Sequence, residues 1–73
     1  MIAAGCDIGS LTSKAVILDG RKIVSQAVIG STFRPEESAR EVMAAALGPA
    51  GLSFDDIGGC VGTGYGRERI PFV

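Results

Sequence analysis

The chain has 73 residues, seven basic and eight acidic side chains, no histidine and two cysteines, for a net charge of -1. A chain this short supports one small domain at most, its balanced charge lacks the basic footprint of nucleic-acid or anionic-membrane binding, and the absence of histidine removes Ser-His and Cys-His catalysis. Met1-Ile2-Ala3-Ala4 places no basic region ahead of a short apolar run, so neither a signal peptide nor a membrane span is expected and the default compartment is the cytoplasm.

Residues 2 to 8 are the first expected strand, an apolar run that delivers Asp7 to its end. A small-residue turn beginning at Gly9-Ser10-Leu11 leads into a second strand over 14 to 19, built on Ala15-Val16-Ile17-Leu18. This is the pattern of a hairpin that holds phosphate. Gly9 allows close backbone approach, Ser10, Thr12 and Ser13 offer hydroxyls beside N–H groups able to converge on an anion, and Lys14 adds positive charge. Asp19-Gly20 predicts a type I′ turn, folding residues 21 to 29 back as a third, antiparallel strand.

The loop from Gly30 to Arg34 leads to Pro35, suited to the first helical position, with Glu36 and Glu37 complementing the positive end of the dipole. Ala39, Val42, Met43, Ala46 and Leu47 recur at helical spacing, so a helix over 35 to 47 packs one face on the sheet, and Gly48-Pro49 is expected to end it. A polar connection with room for one helical turn precedes a fourth strand from Ile57 to Val61. That strand leads into Gly62-Thr63-Gly64-Tyr65-Gly66-Arg67, whose alternating glycines read either as tight backbone approach or as a flexible turn. Arg67 stands where a dinucleotide fingerprint needs its last glycine, and no glycine-lysine phosphate loop occurs. Cys6 and Cys60 form no C-x-x-C pair and read as reduced, buried apolar residues.

The order strand, strand, strand, helix, strand, with an acidic hairpin after the first strand, resembles the opening of the actin, Hsp70 and sugar-kinase superfamily. That resemblance implies an α/β fold, a ribonuclease-H-like (actin-like ATPase) domain of order β-β-β-α-β with a mixed sheet, whose hairpins hold ATP phosphates. Asp7-Ile8-Gly9-Ser10-Leu11-Thr12-Ser13-Lys14 is similar to the first phosphate motif of the superfamily. Thr63-Gly64-Tyr65-Gly66-Arg67 resembles the T-G-Y-G-R signature of the 2-hydroxyacyl-CoA dehydratase activators and of the related ATPase subunits of benzoyl-CoA reductase. Leu11 stands where the family more often has a small or hydroxyl residue. The resemblance covers nearly all of residues 1–73, as the amino-terminal part of one ATPase domain cut off after the T-G-Y-G-R loop.

The resemblance implies that Asp7 is catalytic and anchors Mg²⁺ through water, that Gly9, Ser10, Leu11, Thr12 and Lys14 hold the phosphates of ATP, and that Thr63, Gly64, Tyr65, Gly66 and Arg67 form a nucleotide-responsive loop. It further implies a homodimer that couples ATP hydrolysis to low-potential electron donation, from a [4Fe-4S] cluster to a dehydratase or reductase partner. The cluster belongs to the full-length parent only, since the family's ligating cysteines lie beyond the T-G-Y-G-R loop and this chain supplies none of them. Two other readings stay open: a small-molecule kinase of the same superfamily, and a non-catalytic module with the fold alone. The superfamily's sheet order implies that strand four pairs parallel to strand one, with the helix as crossover. With one helix to cover the sheet, a face bearing Ile17, Val24 or Val28 is expected to stay open and to favour association.

Overall fold

The computed structural model describes residues 1–64, which form a four-stranded sheet covered on one face by a helix. Strands β1 (Ile2–Ile8), β2 (Thr12–Asp19) and β3 (Lys22–Gly30) make an antiparallel meander. Strand β4 (Ile57–Thr63) returns beside β1 in parallel, giving the order β3-β2-β1-β4. Parallel neighbours need a long connection, and helix α1 (Pro35–Ala50) supplies it. The expected mixed β-β-β-α-β sheet, with strand four parallel to strand one, is the one observed.

The period of two along each strand divides the sheet into two unlike faces. Ala4, Cys6 and Ile8 of β1 and Ser13, Ala15 and Ile17 of β2 are buried in phase, and Ala39, Val42, Met43, Ala46 and Leu47 of α1 complete their core. Alanines and Cys6 let helix and sheet approach closely, while Ile8, Ile17, Val42 and Met43 fill the space between. Burying a side chain such as Ile17 or Met43 is worth about 1.5–3 kcal/mol. Ile17 therefore does not belong to an open face: it shares the phase of Ala15 and is fully buried. Val24 and Val28 are exposed as expected, and Val61 of β4 joins them.

The turn between β2 and β3 departs from expectation. Asp19 pairs with Lys22, so the loop residues are Gly20 and Arg21. Gly20 has φ 63, and no described residue other than glycine has positive φ. A type I′ turn needs positive φ at both central positions; one at the first alone is the type II′ pattern. Farther along, Ile17 pairs with Ser25 and Leu18 with Ile23, which leaves Val24 as a bulge in β3.

Helix α1 also runs on through Gly48 and Pro49, and ends instead at Gly51, whose φ of 70 is left-handed. The Gly51 N–H donates to the Gly48 carbonyl at 3.0 Å and the Leu52 N–H to the Leu47 carbonyl at 3.1 Å. This paired closure recovers carbonyls of the last turn and folds Leu52 onto the core. Pro49 forfeits one intrahelical bond there, where few remain to be lost. The expected short turn lies at Phe54–Asp56, closed by reciprocal bonds between Ser53 and Asp56. Strand β2 begins at Thr12, which pairs with Gly30 of β3, and β4 continues to Thr63, which pairs with Asp7 of β1. Cys6 is buried but Cys60 is only half-buried, and both thiols are free. Among the described residues no helix is long and apolar enough to cross a membrane.

Candidate functional site

Two turns leave the sheet at the same end, because β1 and β4 are parallel neighbours. One is Gly9-Ser10-Leu11 between β1 and β2; the other begins at Gly64, just past Thr63. Ligands of parallel strand pairs gather outside such carboxyl ends. Asp7 lies between the two turns, level with Lys14 of β2 on one side and Thr63 of β4 on the other. The Thr63 Oγ1 hydroxyl donates to Asp7 Oδ1 at 3.2 Å. Among the described residues no ion pair joins Asp7 to Lys14, so one carboxylate and one ammonium stand exposed at the mouth of the hairpin.

Both turns demand glycine. The Gly9 N–H donates to the Thr12 carbonyl at 3.0 Å, and a Cβ on Gly9 would sit 2.7 Å from that same oxygen. Gly64 has φ 89, and a Cβ there would run into the Asp7 carboxylate and lie 2.7 Å from the Ile8 carbonyl oxygen. The second turn is therefore folded directly over the acidic residue of the first. Ser10 and Leu11 are exposed at the hairpin tip, Leu11 by 84%, and their N–H groups make no hydrogen bond among the described residues. Unpaired N–H groups beside a lysine can accept an anion.

The hydroxyls divide differently from the sequence reading. Ser10 and Thr12 are exposed and available, whereas Ser13 is fully buried on the helix side and hydrogen-bonded to Ser31, 2.6 Å between oxygens. Ser13 therefore cannot serve an anion; the strand's alternation turns it into the core while Thr12 and Lys14 face out. Ser31 is a loop residue outside the hairpin motif. It donates from Oγ to the Gly9 carbonyl at 2.7 Å and from its N–H to the Leu11 carbonyl at 2.8 Å. Only the pairing of Thr12 with Gly30 brings it there, and the sole local signal was a hydroxyl residue next after a strand. Tyr65, Gly66 and Arg67 lie outside the described residues.

On the uncovered face, Asp7, Lys14 and Thr63 border a concavity of about 360 Å³ floored by Gly5, Val16, Val28 and Val61. Its floor is apolar and offers an anion no donor, whereas the unpaired N–H groups lie at the hairpin turn. Behind the site, burial pushes the Cys6 thiol up to about 11, with Cys60 and Asp7 adding to the effect, and burial raises Cys60 as well. Thiols held protonated in this way are poor nucleophiles and poor metal ligands at neutral pH. Among the described residues no three acidic, cysteine or histidine side chains cluster to hold a metal.

No family model matches the chain. The activator of lactoyl-CoA dehydratase from Anaerotignum propionicum is 40% identical over 68 residues, covering 92% of this chain and 26% of the relative. The (R)-2-hydroxyglutaryl-CoA dehydratase activating ATPase of Acidaminococcus fermentans is 34% identical over 73 residues, 94% of this chain and 26% of its own length. Among solved structures, the activator of the 2-hydroxyisocaproyl-CoA dehydratase from Clostridium difficile, with bound ADPNP, superposes with a TM-score of 0.82 at 40% identity, over 93% of this chain and 25% of that one. The chain thus spans about a quarter of the length of the curated relatives it matches. In sequence and in fold it is a homologue of the amino-terminal region of the 2-hydroxyacyl-CoA dehydratase activators, sharing the opening of their actin-like fold.

Proposed function

We propose that this chain supplies the first phosphate-holding part of an ATPase that activates a 2-hydroxyacyl-CoA dehydratase, residues 1–73 being the opening of its ATPase domain. The observation that carries the reading is the pair of glycine turns closing on Asp7, with Thr63 bonded to its carboxylate, at the end of two parallel strands. An ATPase among the relatives and the ADPNP-bound neighbour support nucleotide binding.

In this reading the N–H groups and hydroxyls of Ser10, Leu11 and Thr12 bind the β- and γ-phosphates, Gly9 lets the backbone approach them, and Lys14 balances their charge. Thr63 orients Asp7, and Thr63, Gly64, Tyr65, Gly66 and Arg67 respond to the state of the nucleotide. Mg²⁺ dehydrates reluctantly and is commonly held by one or two carboxylates together with phosphates and water. The exposed Asp7 fits that role, with Thr63 beside it. There Asp7 would hold an ion able to supply charge neutralisation for the phosphates, in a transfer that depends on positioning more than on covalent chemistry.

A [4Fe-4S] cluster does not fit the residues present. Such a cluster takes four thiolates, and this chain offers two thiols set in the sheet, both held protonated. Cluster, homodimer and electron transfer to a dehydratase, or alternatively to a benzoyl-CoA reductase, are placed in a cytoplasmic parent protein of the relatives' length.

A chimera tests the proposal: residues 1–73 replace the matching segment of the Clostridium difficile activator. ATP-dependent activation of its dehydratase, lost on Asp7→Ala, is the expected outcome. A chimera that folds and binds ADPNP yet hydrolyses no ATP favours a module with the fold alone. For the chain by itself, anaerobic reconstitution is expected to yield no stoichiometric iron and an ATPase assay little turnover.

A further inference from the structure

We infer that Ser31 is the positioning residue of the phosphate turn, fixing the direction in which the turn's N–H groups point and tying the turn to helix α1. The inference rests on the nucleotide reading for its ligand, the phosphate chain of a nucleoside triphosphate, but its geometry stands independently.

Ser31 holds two carbonyls of the turn at once. Its Oγ donates to the Gly9 carbonyl at 2.7 Å and its N–H donates to the Leu11 carbonyl at 2.8 Å. In a trans peptide the C=O of one residue and the N–H of the next point in opposite directions, and no described peptide bond is cis. Drawing the Gly9 carbonyl toward Ser31 therefore turns the Ser10 N–H away from it, and drawing in the Leu11 carbonyl does the same for Thr12. Alternate N–H groups of the turn are thus aimed to one side, away from the β3–α1 loop. A flexible turn would have to order these groups when an anion arrives; Ser31 orders them beforehand.

The anchor is itself held. Ser13 Oγ, fully buried, lies 2.6 Å from Ser31 Oγ, and next along the chain the Thr32 N–H donates to the hydroxyl of fully buried Ser38 at 2.8 Å. Ser38 sits in the first turn of α1, so a continuous polar chain runs from the Gly9 carbonyl through Ser31 and Thr32 to the helix. Since the Ser31 hydroxyl proton goes to Gly9, Ser13 must be the donor to Ser31. Removing Ser13 therefore loosens the anchor without freeing the carbonyl.

The full chain with Ser31→Ala, Ser31→Thr and Ser13→Ala tests this, with Mg-ADPNP affinity, thermal stability and amide spectra as readouts. Ser31→Ala is expected to weaken Mg-ADPNP about tenfold, the effect of one lost hydrogen bond of positioning. Ser31→Thr restores affinity to within about threefold, because the hydroxyl returns. Ser13→Ala lowers stability but leaves affinity within about threefold. A folded Ser31→Ala protein that binds as tightly as wild type, or equal affinity losses in Ser31→Ala and Ser13→Ala, overturns the inference. If wild type binds no Mg-ADPNP, the nucleotide reading fails, and the positioning claim is decided by the amides alone. A Ser10 resonance, beside the Gly9 carbonyl that the Ser31 hydroxyl holds, that shifts in Ser31→Ala but not in Ser13→Ala upholds it, and one unmoved in Ser31→Ala overturns it.

Discussion

The β1–β2 region is bordered by glycine turns at both ends of the sheet, and the glycines do different work. At one end Gly20 turns the chain in open space, where a Cβ would meet nothing within 4 Å. Only its positive φ asks for glycine. At the other end Gly9 and Gly64 are hemmed in by backbone and by the Asp7 carboxylate. A glycine kept for its torsion angle marks a turn, whereas one kept because neighbouring atoms leave no room marks a place where chains converge on a shared point. Here that point is Asp7.

The contrast breaks most readily at Asp7. Asp7→Ala is expected to weaken Mg-nucleotide binding by at least about a hundredfold, ~2.7 kcal/mol, while thermal unfolding moves little because the side chain is exposed. An unfolded variant, or one with unchanged affinity, would make the residue structural or idle. Next in size, Gly64→Ala should cost about 2–3 kcal/mol, combining left-handed strain with displacement of the Asp7 carboxylate. Denaturant titration measures the first effect and nucleotide affinity the second; both should fall together.

Cys6 sharpens the comparison from the core side of the Asp7 end. Its thiol is raised from 9.0 to about 11 in the fold, so between those values the folded state binds more protons than the unfolded chain. Stability should then decline as pH rises from 9 toward 11, by about 2 kcal/mol in all, and be fully present below 9. Cys6→Ala should lack this portion of the alkaline loss, a difference visible in paired melts across that range. The smallest effect belongs to Gly20→Ala, about 1 kcal/mol from backbone strain with no change in nucleotide affinity. A loss of affinity at Gly20 would erase the distinction between the two ends.

Much of this architecture is legible in the residues because local signals and long-range order agree. The apolar run of β1 and the helical spacing from Ala39 to Leu47 each name their element, and the acidic hairpin marks the candidate site. What the sequence does not disclose turns on phase and on distant partners. Ile17 looks like any residue of an apolar run until the helix selects the phase of Ala15 and leaves Val28 outside. Gly48-Pro49 has the look of a stop, yet Gly51 makes the left-handed closure because Leu52 gains a place on the core by it. Ser13 and Ser31 are 18 positions apart, and only the β2–β3 register brings their hydroxyls together. No window along the chain contains that pair.

The central claim is that nucleotide phosphates are held between the Gly9 and Gly64 turns. Titrating Mg-ADPNP into the isotopically labelled full chain and following the backbone amides tests it most directly. Saturable shifts at Ser10, Leu11, Thr12, Thr63 and Gly64, with Gly20 and Arg21 unmoved, are the predicted result. Shifts centred on the Gly20 turn, or no saturable shift at either end, would contradict it.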